Sequence, residues 1–374
     1  MAHMADLDAE TLGARIRDAR QRADLTQGQL AAAAGLGDRT IVNKIESGNR
    51  AVSALELSDI AIALDVRMTS FFKEATPAIV SHRDSQNPDA ADALIDRRLA
   101  KLASEVEFLE ELAPDELGLR HLDPLAHPQT MSQAEQLGLR AREMVGLPVD
   151  EPVVDLCATV SQLGLLVFSQ DLGPDTADAG TILLPRGGVS LINSHHAVGR
   201  RRLAAAHELG HYLVADEYTV DWRVALASAD LELRLDRFAR AFLLPGEAIA
   251  RDWTQLFAMR SVREAAVILA SRYRVDMATL SRRLLELGVV SSEVAAQIRN
   301  ARTTREDIQV LGLNVGREFE GTSTPVAFAN SALRAYANER ISKERALDLL
   351  QATVGEDRLP PLRVRRSDEI WHVV

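Results

Sequence analysis

The chain has 374 residues with a formal net charge of −11, 47% hydrophobic and 26% charged residues, which fits a folded globular protein and excludes a wholly disordered one. No apolar run reaches the roughly 18 residues of a membrane span, and Cys157, the only cysteine, cannot close an internal disulfide, so a cytoplasmic protein with no membrane partner is expected. With 4% aromatic residues and an acidic total, the chain as a whole is a poor coat for nucleic acid, although one small basic domain is compatible with binding it.

Residues 9–76 predict a first domain of short helices. Leu12, Ile16 and Ala19 form one apolar stripe. Thr26 is an N-cap for a helix that Gly35 closes, Asp38 or Arg39 opens the next, and Ser53 caps a further one carrying Leu55, Leu57, Ile60, Ala61 and Leu64. Two short helices around a glycine-containing turn are the helix-turn-helix pattern. Between Leu12 and Arg50 stand seven Lys or Arg and four Asp or Glu, a local excess of positive charge suited to phosphates. Pro77 ends this block, and 77–131 predict a linker, polar over 81–91, with a helix over 94–112 that acts as a spacer or a coiled-coil dimer contact. Residues 120–130 read as loop.

The next block, 132–290, predicts helices before Pro148 and over 153–162, then a strand at 164–168. Residues 181–184 and 189–192 flank Gly187-Gly188 and predict a hairpin. Helices follow over 199–215, 230–244, 261–271 and 276–287. Residues 291–374 form an extension of unassigned role with an Ala-rich helical region and a Pro-Pro pair.

Residues 207–211 read His-Glu-Leu-Gly-His. On a helix His207 and His211 are four apart, so both imidazoles leave one face and can share one ion. Glu208 lies beside that face as a catalytic base able to take a proton from water. A hydrolytic site needs a third ligand and one open position. A third histidine is not at the spacing some metallopeptidases use, since Glu217 stands there. Twenty-one residues beyond His211, Glu232 can complete the set, and Asp236, one turn on, can hydrogen-bond a ligand imidazole and fix its tautomer. Asp216 and Glu217 are the nearest rival ligands. The donors suit Zn²⁺, with Mn²⁺ or Fe²⁺ as alternatives. His195, His196 and Tyr273 are candidate donors to an oxyanion, and Cys157 reads as a core residue.

Two resemblances rest on these residues. LTQGQLAAAAGLGDRTIVNKIESGNR resembles the Xre, lambda-repressor-like helix-turn-helix family. That likeness implies operator DNA as a partner of 9–76, with Gln27 and Arg50 on the DNA backbone and Arg39, Thr40, Asn43 and Lys44 facing the major groove. TILLPRGGVSLINSHHAVGRRRLAAAHELGHYLV, followed by ELRLDRFARAFLLP, resembles the ImmA/IrrE metallopeptidases. It implies His207, His211 and Glu232 as zinc ligands and Glu208 as base, in a family known for cutting helix-turn-helix repressors.

The expected fold class is therefore mainly α with a small β-sheet (α+β): an all-helical domain, a zincin-like metallopeptidase domain and a C-terminal α/β extension. The expected function is a DNA-binding regulator with a zinc endopeptidase, active or latent, that cleaves a regulatory protein. The alternative is a non-proteolytic Xre-type regulator or antitoxin of a toxin-antitoxin or mobile-element module, its metal domain a sensor or interaction body. A homodimer, a repressor substrate or toxin partner from a neighbouring gene, and a stress-response role belong to the same expectation.

Overall fold

The structure, a computed structural model, describes residues 9–363 except 24, 65, 67, 72–87, 175, 215–228, 314 and 315. Helices α1 (Ala9–Arg22), α2 (Gln27–Ala33), α3 (Arg39–Glu46) and α4 (Ala54–Ala63) form the first unit. Its caps are those expected: Thr26 and Ser53 make reciprocal capping boxes with Gln29 and Glu56, and the Asp38 carboxylate accepts the Thr40 and Ile41 amides at 2.7 and 3.3 Å. These bonds hold the Asp38 carboxyl below its ordinary range. Ile16, Leu30, Val42, Ile45, Leu57, Ile60 and Phe71 close a core of their own. Glu46 is buried among them, and its charge is met by Arg20 Nε at 2.5 Å and Gln27 Nε2 at 2.8 Å.

The linker expectation over 81–91 lies partly outside the described residues, but 88–91 are helical. Helix α5 (Pro88–Leu112) begins on a proline, which suits a first helical turn because its missing N–H is not needed there. The spacer reading of this helix does not hold. Ile95, Leu99, Leu102, Val106 and Leu109 recur at helical spacing and are buried against the sheet, so the stripe is spent inside the molecule and not on a dimer seam.

After α6 (Met131–Met144) and α7 (Leu156–Ser161) come strands β1 (Leu165–Gln170), β2 (Ala179–Leu183) and β3 (Gly188–Asn193). The sheet order is β1-β3-β2, with β1 parallel to β3 and β2 antiparallel to it, so the expected hairpin is present. Both faces of this small sheet are covered, which is why its strands read as apolar runs. Leu166, Phe168, Ile182, Val189 and Leu191 face α5. Leu165, Val167, Ala179 and Ile192 alternate to the other face, against α8 (Val198–Leu213). Helices α9 (Ala229–Leu243), α10 (Gly246–Phe257), α11 (Val262–Tyr273), α12 (Met277–Glu286) and α13 (Ser292–Asn300) complete that side.

The extension was expected to be α/β; among the described residues it is helical, with α14 (Arg305–Leu311), α15 (Val326–Ala337) and α16 (Lys343–Leu349). Ser323 makes an extended contact, exchanging backbone hydrogen bonds of 3.0 Å with Ser169 at the edge of β1. Just before it, Glu318 pairs with buried Arg202 of α8 and accepts the Leu156 amide at 2.7 Å. Phe328, Leu349 and Leu350 pack on the α5 side. The extension is thus part of both cores. Among the described residues no helix is long and apolar enough to cross a membrane.

Candidate metal centre and nucleic-acid interface

The His-Glu-Leu-Gly-His run lies in the second half of α8, and α9 crosses it closely. Gly210 makes that approach possible: a Cβ there would stand 2.8 Å from Phe238 Cδ1 and 3.2 Å from Leu235 Cδ2, both on α9. Phe238 and Leu235 are fully buried and have nowhere to retreat. The same crossing brings Glu232, in the first turn of α9, over the paired imidazoles. His207 Nε2 is 3.1 Å from His211 Nε2 and 3.0 Å from Glu232 Oε2, and His211 Nε2 is 3.4 Å from Glu232 Oε1.

These spacings fit one ion. Tetrahedral bonds of ~2.0–2.1 Å separate ligand atoms by about 3.3 Å. Among the described residues this is the group of histidine and acidic side chains able to hold a metal, with all ligand atoms within 4.8 Å of one another. His207 Nδ1 lies 3.0 Å from Asp236 Oδ1, so the ring donates there and keeps its Nε2 lone pair on the cluster. Burial pushes the Glu232 carboxyl up, but the hydrogen bonds and charge of both imidazoles prevail and hold it well below the ordinary carboxylate range. The rivals Asp216 and Glu217 lie outside the described residues.

Glu208 leaves the same helix toward the sheet and is fully buried. Its Oε2 accepts Thr181 Oγ1 at 2.6 Å, and Thr181 Oγ1 is 2.5 Å from Ser190 Oγ, its cross-strand partner. Thr181, on the α8 face of the hairpin, therefore fixes one carboxylate oxygen, and Ser190 orients the Thr181 hydroxyl from the neighbouring strand. The sequence reading missed both. Their signal is a single hydroxyl flanked by apolar residues within each strand, equidistant from the turn.

Other candidates fall elsewhere. His195 Nδ1 pairs with Asp171 at 3.2 Å, and His196 with Asp178, which also takes a two-pronged contact from Arg200. Tyr273 is buried and donates to Asp252 at 2.9 Å, so it is committed to the α10–α11 contact. Cys157 packs on the main cluster as expected of a core residue, and burial pushes its thiol up to about 12.

In the first unit, Arg39, Thr40, Asn43 and Lys44 are exposed on α3. Gln27 reaches Asn43 Oδ1 at 3.4 Å while holding Glu46, and Arg50 is paired with Glu56 at 2.7 Å. Gln27, Asn43 and their neighbours thus share one polar side of α2 and α3.

A mainly helical fold around a mixed three-stranded sheet, with such a cluster on the helix that the hairpin covers, is metallopeptidase-like. Comparison with known families bears this out. Residues 160–285 match the family described as IrrE N-terminal-like domain, a peptidase family, and residues 16–71 match the family described as helix-turn-helix. The chain therefore carries an Xre-like, DNA-binding helix-turn-helix domain followed by an IrrE/ImmA-like peptidase domain. No curated protein and no solved structure matches it.

Proposed function

We propose that this protein is a DNA-binding regulator, reading an operator as a homodimer, whose second domain is a zinc endopeptidase that cuts an exposed segment of a regulatory protein such as a helix-turn-helix repressor. One observation carries the peptidase half: His207, His211 and Glu232 converge within hydrogen-bonding distance beside a buried glutamate. Two imidazoles and one carboxylate are the ligand set of hydrolytic zinc sites, which leave a coordination position open. When bound, zinc supplies Lewis-acid polarisation of the scissile carbonyl and a more acidic water. Asp236 keeps His207 in the tautomer that presents Nε2. Glu208 accepts the proton of the attacking water and returns it to the leaving amine, its carboxylate held by Thr181, whose hydroxyl Ser190 orients. The β2 edge away from β3 carries no strand among the described residues, which suits a substrate that docks in extended form.

Glu208→Gln tests the chemistry. The purified variant is expected to keep its metal, measured by elemental analysis, and to cut candidate repressors at least about 10²-fold more slowly than wild type. Cutting at the wild-type rate, or wild-type protein that takes up no zinc, overturns the mechanism. The DNA half is tested by gel shift on the chain's own upstream DNA. Arg39→Ala and Asn43→Ala are each expected to weaken the specific shift by about 1–3 kcal/mol, and equal wild-type binding to random DNA refutes operator reading.

A further inference from the structure

A cavity of about 520 Å³ opens at the carboxyl end of β1, away from the histidine cluster's own residues. Its walls come from three distant stretches of chain: Arg98 and Lys101 of α5, Gln170 at the end of β1, and Thr322 and Gln351 of the extension. Ligand pockets fall in this size range, and the carboxyl ends of sheet strands are where open α/β sheets bind ligands.

The charges on the walls are unevenly matched. Asp348 is met by Lys101 at 3.5 Å and by Arg345. Asp171 accepts the Gly173 amide at 2.9 Å and pairs with His195. Arg98 stands one helical turn from Lys101, half-buried, with no ion pair or hydrogen bond among the described residues. A guanidinium presents a planar fork of donors that fits a carboxylate or phosphate, and keeping it half-buried without such a partner is unfavourable. Beside it Gln170 Nε2 donates to Gln351 Oε1 at 2.7 Å, leaving further amide donors and acceptors on the wall. Gln351 and Ala352 are both held at positive φ, 52° and 59°, which non-glycine residues seldom adopt and rarely in succession. Such backbone concentrates at binding sites.

We propose that this cavity binds a small polar metabolite bearing a carboxylate or phosphate, with the Arg98 guanidinium as its anion receptor and the Gln170–Gln351 pair facing its uncharged part. Because the extension supplies part of the wall, the occupied cavity ties it to α5 and β1. The proposal does not depend on zinc or on proteolysis.

The test uses the full-length protein at constant ionic strength, with inorganic phosphate, glucose 6-phosphate and succinate titrated separately by calorimetry and followed by melting temperature. Saturable binding of at least one probe with a raised melting temperature is expected; the sugar phosphate and the dicarboxylate separate phosphate from carboxylate recognition. Arg98→Gln is expected to weaken it by at least about tenfold. Arg98→Lys, which keeps the charge but loses the fork, weakens it less, and guards against misfolding of the first variant. Arg317→Gln, whose side chain is 85% exposed, leaves it unchanged. Saturable binding by none of the probes overturns the proposal. So does unchanged affinity in both Arg98 variants, which means an adventitious ion only.

Discussion

Gly210 shows how much one missing methyl group decides. It lies between the two histidines, and the van der Waals space it leaves is filled by the Phe238 ring. Gly210→Ala places a methyl group 2.8 Å from a ring that cannot move aside. The expected result is a loss of about 1–3 kcal/mol in unfolding free energy, with α9 displaced from α8. Zinc affinity falls with it, because Glu232 and Asp236 both travel on α9; urea unfolding and a competition titration with a chromophoric chelator measure the two losses. Retained stability with native zinc affinity would refute this account of the crossing. At this scale the sequence was most legible where chemistry is local. The pairing of His207 with His211 follows from helical spacing alone, whereas Thr181, backed by its cross-strand partner Ser190, meets Glu208 only through strand register and helix placement.

Among the elements, α6, α9 and α12 are fastened by Glu135. Its carboxylate takes Arg237 Nε and Arg283 Nη1 at 2.7 Å each, and Arg283 is fully buried. Burial pushes the Glu135 carboxyl up, but the two guanidiniums overcome it, and the group sits below its ordinary value of 4.5. The unfolded chain therefore binds the proton more readily than the folded one. The stabilisation is complete above about pH 4.5 and drains away as the pH falls through the depressed folded value. Glu135→Gln is expected to cost about 2–3 kcal/mol at neutral pH and to flatten the acid dependence of stability. Denaturant unfolding of both proteins at neutral and acid pH reads this directly, and an unchanged acid slope in the variant contradicts it. Element positions were largely readable from apolar periodicity and caps, as the Thr26, Asp38 and Ser53 helix starts show. The placement of α5 was not, because its stripe looks the same whether it meets a second copy, solvent-spaced domains or a sheet.

Across the whole molecule, the part that escaped a linear reading is the extension. Glu318 and Ser323 carry no motif, yet one neutralises buried Arg202 and the other bridges to Ser169 on the β1 edge. Contacts between residues more than a hundred positions apart leave no local periodicity, so only the fold displays them.

The first unit buries its apolar side chains among residues 12–71 alone, whereas the peptidase-like part waits for Phe319 and Leu350 before its two cores are complete. During synthesis from the amino end, the DNA-reading module can close while most of the message is still untranslated. A ribosome that stalls late would release a product with a finished helix-turn-helix unit and two unfinished cores behind it; on the proposed function, the order of emergence then sets DNA recognition ahead of cutting.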